Sequence, residues 1–320
     1  MSAIEVLVNS SAPLLITFRE ALEAALIVSI LAAYLKKIGR GDLNRHLLTG
    51  VFAAIIVSLV AGGAMAYVYG GLSGVSAQLF EGSASILATV VLTYMIFWMA
   101  RNARRISGDL EAKVHASVSR GYVFGIVALA FVAVVREGIE TVLFLTAFAV
   151  QDFTATLTGI IVGATAVVGL SFLMMRGAYR LDLQKFFRYT SVILLIFAAG
   201  LLGYGIHELI EAAEGSGVEI GILADHAFDI NPADTQNLFH EKGAVGSVLK
   251  ALVGYDGNPE WLRVVAYVGY WFVIGSYLIR FYGLTGLKLN PLSRSWRREI
   301  HPEAEEGEMK ISLNSNTELN

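Results

Sequence analysis

Arg19-Glu20-Ala21-Leu22-Glu23 and Arg136-Glu137-Gly138-Ile139-Glu140 spell one pattern, Arg-Glu-x-x-Glu, twice in a chain of 320 residues. Each lies inside a long apolar run, the first over residues 12–35 and the second over 122–148. Such runs cross a bilayer as helices, since about 20 apolar residues span the hydrocarbon. A charge at the centre of a membrane helix costs about 2.5–3.5 kcal/mol. Carrying three of them twice, with one spelling, marks both stretches as functional.

The rest of the chain fits that reading. Hydrophobic residues make up 55% and charged residues 16%, against about 25% charged in soluble domains. The fold class is therefore an all-α polytopic membrane protein. There is no cysteine, which excludes disulfides, thiolate metal sites, iron–sulfur clusters and thiol nucleophiles. A net charge of −3 gives no basic surface for nucleic acid. Glu5 is the only charged residue before the first apolar run, so a cleavable signal peptide is not expected.

Seven transmembrane helices are expected, at about residues 12–35, 47–69, 82–100, 122–148, 153–175, 189–211 and 264–283. Lys and Arg cluster in loops 36–46, 101–121 and 176–188 and at the start of the tail (Lys288, Arg294, Arg297, Arg298), whereas loops 70–81 and 149–152 have none. Positive residues mark the cytoplasmic side, which puts the N-terminus outside and the C-terminus inside. Residues 1–283 then form one seven-helix membrane domain, and the polar tail at 284–320 reads as a disordered cytoplasmic segment. The long extracytoplasmic loop, 212–263, is acidic; it is either a solvated loop or a mouth that attracts cations. His226 and His240-Glu241 in it are weak candidates for metal capture. Gly121-x-x-x-Gly125 and Gly159-x-x-x-Gly163 are read as close helix packing.

Residues three or four apart share a helix face. Glu20 and Glu23 therefore point one way, with Arg19 set to pair Glu23; Glu137, Glu140 and Arg136 repeat this. Each motif sums to −1, and together they offer about −2 and up to eight oxygens, a cage for a hard di- or trivalent cation. Arg19 and Arg136 set the charge; a guanidinium cannot ligate a metal. The first and fourth spans run in opposite directions, and both motifs lie roughly 12 Å below the outer surface at 1.5 Å per residue. Opposite travel predicts an inverted repeat of helices 1–3 and 4–6, with the site where the repeats meet. Glu81 at the start of the third span, and His207, Glu208 and Glu211 at the end of the sixth, are further candidate ligands at the outer face. Met95, Trp98 and Met99 are read as packing or membrane-belt residues.

Thr17-Phe18-Arg19-Glu20-Ala21-Leu22-Glu23, Val135-Arg136-Glu137-Gly138-Ile139-Glu140, Phe80-Glu81-Gly82, Leu92-Thr93-Tyr94-Met95 with Trp98-Met99, and His207-Glu208-Leu209 together resemble the high-affinity iron permease family. That family includes fungal oxidase-dependent permeases and bacterial EfeU-type permeases. The resemblance covers residues 12–283. It implies a plasma-membrane transporter, not an enzyme, moving iron inward with the motif glutamates as ligands. It also implies delivery by an extracytoplasmic ferroxidase or iron-delivery protein. Two motifs summing to about −2 neutralise Fe2+, whereas Fe3+ would want Glu81 or Glu208 as well. The alternatives are a permease for another divalent metal (Pb, Mn, Zn), a metal-dependent membrane enzyme, or a metal sensor. No Walker A sequence, Ser/His/Asp set or haem-like histidine pair is present, so no organic cofactor is expected.

Overall fold

The computed structural model describes residues 6, 8–102, 106–119, 123–175, 183–232 and 244–282. Among them are nine α-helices: α1 (Ser11–Lys37), α2 (Asn44–Gly70), α3 (Val75–Asn102), α4 (Ile106–Ser119), α5 (Val123–Ala149), α6 (Phe153–Met175), α7 (Leu183–Gly215), α8 (Ala244–Val253) and α9 (Trp261–Tyr282). No strand occurs among the described residues; a single backbone bridge joins His226 to Glu260. The chain divides into two compact units, residues 1–270 and 271–320. The second unit contributes, among the described residues, only the last part of α9.

Each predicted span falls on a helix. By length and composition, α2, α3, α6 and α7 are apolar enough to cross a membrane, over Gly41–Gly70, Val75–Met99, Phe153–Leu173 and Phe186–Gly215. α1 and α5 are as long but carry the motif charges. α2 turns Phe52, Ile56, Leu59 and Val60 outward, Leu59 at 70% exposure, an apolar face too large for a water-facing surface.

Two stretches expected to be loops hold helices. α4 lies in loop 101–121 because Val114, with Leu110 one turn before it, packs against Leu31, Leu35, Leu43, Leu47, Ile126 and Ala130 at the Lys37 end of α1. α8 lies in loop 212–263 and packs on α7, where Gly254 has φ +71° and its backbone meets that of Gly200. α3 starts seven residues before the expected boundary and α7 ends four after it. Glu81, Glu208 and Glu211 therefore sit one to two turns inside their helices rather than at the ends, since a helix need not stop where hydropathy fades. His240, Glu241, Gly121, the tail at 284–320 and several loop cations (Arg104, Arg105, Arg120, Arg176, Arg180) lie outside the described residues.

The principal helix pairings are α3 with α7, α2 with α5, α1 with α6 and α1 with α5. This pattern is unchanged when α1, α2, α3 are exchanged for α5, α6, α7: α2 on α5 becomes α6 on α1, and the other two pairs map onto themselves. Small residues make the crossings. A β-carbon at Gly163 would lie 2.7 Å from the Leu14 carbonyl oxygen, and one at Gly159 2.7 Å from that of Ser10. At the α3–α7 crossing, a β-carbon on Gly82 would lie 2.8 Å from the Gly205 carbonyl oxygen, and one on Gly205 2.9 Å from that of Gly82.

Candidate metal site

α1 and α5 pack directly on each other and bring the two motifs together. Carboxylate oxygens of Glu20, Glu23 and Glu137 lie within 4.8 Å of one another, and all three residues are buried. Both Glu20 oxygens, Glu23 Oε1, Glu137 Oε2 and Glu140 Oε2 accept no hydrogen bond from any described residue. Buried carboxylates are normally paired or bound to a cation, so this donor set suits a hard cation. Glu140 stands outside the group of three.

Within each motif the arginine grips the distal glutamate. Arg19 Nε is 3.0 Å from Glu23 Oε1, and Arg136 Nε is 2.8 Å from Glu140 Oε1. Each stands farther from the adjacent one: Arg19 Nη1 to Glu20 Oε1 is 4.0 Å and Arg136 Nε to Glu137 Oε1 is 3.9 Å. The remaining partners come from α3. Arg19 Nη2 donates to Met95 Sδ at 3.3 Å, and the Arg136 guanidinium carbon lies 4.8 Å from the centroid of Trp98. Met95 and Trp98, read from sequence as packing or belt residues, thus each contact one motif arginine.

The four outer candidates lie near one another but divide between two sets of hydrogen-bond partners. Glu81 accepts from Tyr69 at 2.8 Å and from Tyr204 at 2.5 Å, and Glu208 lies close enough to Glu81 for their charges to interact. Glu208 is within charge range of His207 and Glu211 as well, but His207 takes different hydrogen-bond partners. Its Nδ1 is 2.6 Å from Glu260 Oε1 and its Nε2 is 3.3 Å from Glu211 Oε1; Gln78 also donates to Glu211 at 2.8 Å. The split has a helical cause: neighbouring residues diverge by about 100°, whereas residues four apart align. Tyr204 with Glu208 and His207 with Glu211 therefore occupy two faces of α7. Burial pushes the Glu260 carboxyl up, but the His207 hydrogen bond, a backbone hydrogen bond and the charges of His207 and Arg263 outweigh it and hold it below the usual carboxylate range. Asp256 pairs with Arg263 beside it. His226 Nδ1 lies 2.9 Å from the Asn258 carbonyl oxygen.

Tyr69, Tyr204, Gln78 and Glu260 were missed as site residues. Only Tyr204 had a sequence signal, its i,i+4 spacing to Glu208. From Glu81 to Met95 is 14 residues, about 21 Å along α3 at 1.5 Å each, so the outer carboxylates and the motif carboxylates are separate groups.

The sequence matches the iron permease FTR1 family over residues 10–280. An uncharacterized protein of Archaeoglobus fulgidus is 43% identical over 270 residues, covering 84% of this chain and 95% of its own length. Ferrous iron permease EfeU of Escherichia coli O6:K15:H31 is 36% identical over 265 residues, 82% of this chain and 91% of its own. Ferrous iron permease EfeU of Yersinia pestis is 34% identical over 261 residues, 81% and 89% respectively. No solved structure matches the chain. The matched span contains both motifs, all three buried glutamates and every helix that positions them, and the chain belongs to the iron permease FTR1 family.

Proposed function

We propose that this chain is an iron permease that carries Fe2+ from the extracytoplasmic side of the plasma membrane into the cytoplasm. The observation that carries the reading is the group of three buried glutamates drawn from two copies of one motif, with oxygens within 4.8 Å of one another. Three carboxylates and Arg19 sum to −3 + 1 = −2, which neutralises a divalent ion; Glu140 and Arg136 cancel. The relatives named as ferrous iron permeases support the same oxidation state. In this reading α1, α2, α3, α5, α6, α7 and α9 are seven crossings, with the N-terminus outside, the permease domain over residues 1–283 and the tail at 284–320 inside. The symmetric pairing of α1–α3 with α5–α7 supports an inverted repeat meeting at the site. Glu81 and Glu208 form an outer capture station, and the acidic loop above it receives iron from a ferroxidase or iron-delivery protein.

Uptake of radioactive iron into vesicles, with and without a reductant, tests this. Uptake is expected to need the reductant, and to be lost in Glu20→Ala, Glu23→Ala and Glu137→Ala while membrane insertion is retained. Normal uptake in two of the three would end the shared-site idea. Glu81→Gln is expected to raise the half-saturating iron concentration, less so at high ionic strength because charges across an open mouth are screened beyond about 8–10 Å. A collapsed maximal rate at unchanged half-saturation would move Glu81 into the transport step. Stronger uptake of Mn2+, Zn2+ or Pb2+ than of iron would assign another cargo.

A further inference from the structure

We propose that α3 restrains both motif arginines, through Met95 and Trp98, so that Glu20 and Glu137 stay open to the incoming ion. The inference rests on the reading of these glutamates as a cation site.

A guanidinium is the natural competitor for a carboxylate. It carries five donors in a planar fork and binds carboxylates bidentately. Here two guanidiniums lie beside buried carboxylates with oxygens that lack hydrogen-bond partners, and neither closes on the glutamate next to it in sequence. The gaps are 4.0 Å from Arg19 to Glu20 and 3.9 Å from Arg136 to Glu137, at the limit of an ion pair. Glu20 has both oxygens without a hydrogen bond, and Glu137, like Glu23 and Glu140, has one. In each motif the distal glutamate takes the Nε, and a neutral group on α3 takes another part of the guanidinium.

Those groups are a thioether and an indole face. Both attract a cation weakly and neither brings a compensating charge. Met95 and Trp98 are three residues apart, so one face of α3 serves both. A carboxylate in either position would have neutralised the arginine. An aliphatic residue would have left it free to swing onto Glu20 or Glu137 and act as a tethered competitor of the metal. Met95 and Trp98 are positioning residues: they touch the arginines, not the ion.

The competition has a kinetic signature. A tethered competitor is overcome by more metal, so losing the restraint raises the half-saturating concentration and spares the maximal rate. General damage to the fold lowers the maximal rate instead. Met95→Leu keeps the volume and removes the sulfur acceptor; Trp98→Leu removes the ring; Trp98→Phe keeps a ring face. Met95→Leu and Trp98→Leu are each expected to raise half-saturation for Fe2+ uptake about threefold to tenfold, the range of a cation–π contact, with the maximal rate within about twofold. Trp98→Phe is expected to lie near the wild type.

A second arm does not need transport. Purified full-length protein is titrated with Tb3+, an oxygen-seeking probe, and the same ordering of apparent affinities is expected. If the wild type binds Tb3+ but carries no iron, the permease reading fails and the Tb3+ ordering still decides the restraint. Wild-type half-saturation and Tb3+ affinity in both leucine variants would overturn the proposal. So would a Trp98→Phe variant as impaired as Trp98→Leu, or a loss confined to the maximal rate.

Discussion

The two Arg-Glu-x-x-Glu motifs share a spelling and a local geometry but not a setting. In both, the arginine binds the glutamate four residues on at about one hydrogen-bond length and stands off from its neighbour. Arg19 is fully buried, whereas the Arg136 side chain is 45% exposed. Leu22 is 2% exposed, and Ile139, its counterpart, is 51% exposed. The first motif has Ala21 where the second has Gly138. At Gly138, α2 comes so close that a β-carbon would lie 1.9 Å from Ser58 Oγ. Helical spacing sets which side chains pair, and the neighbouring helices set what each pair is worth.

That comparison breaks first at the arginines. Arg19→Ala leaves carboxylates buried without their cation, a loss of about 3–5 kcal/mol, while Arg136→Ala costs about 1 kcal/mol, as for a partly solvated pair. Thermal unfolding in detergent should show the first variant far less stable than the second; equal losses would mean that burial does not separate the motifs. The next contrast is apolar. Leu22→Ala should cost about 2–5 kcal/mol through the cavity it leaves, read in the same unfolding measurement. A smaller but sharper effect is expected at the crossing with α2. Gly138→Ala should cost about 1–3 kcal/mol by overpacking, and Ser58→Gly in the same chain should recover most of it, a coupling that a double-mutant cycle measures. No recovery would place the strain elsewhere. Smallest of all, Ile139→Ala should change stability by less than about 0.5 kcal/mol, and a loss matching Leu22→Ala would show that Ile139 faces a partner.

Much of this could be read from the chain. Apolar run length pointed to an all-helical chain, in which four helices are apolar enough to cross a membrane, and i,i+4 spacing paired Arg19 with Glu23 and Arg136 with Glu140. The hidden parts have physical reasons. α4 is short and mixes Asp109, Glu111 and Lys113 with its few apolar residues, so only its packing against Leu31 and Leu35 distinguishes it from a loop. His207 and Glu208 are adjacent in sequence and read as one cluster, yet a helix sends them to different neighbours. Met95 beside Arg19 is a contact across 76 residues, and Glu260 beside His207 one across 53. Local periodicity carries no signal for either.

The crossing of α3 and α7 at Gly82 and Gly205 gives α3 a fulcrum. Glu81 sits beside it, and Met95 lies at the end of an arm of about 20 Å. A tilt of about 3° at the fulcrum moves Met95 by about 1 Å while Glu81 barely shifts, by simple proportion along a rigid helix. One angstrom is the difference between an arginine at 4.0 Å from Glu20 and one bonded to it. Backbone contact at two glycines therefore makes the angle of α3 near Glu81 the quantity that fixes how far Met95 stands from the first motif.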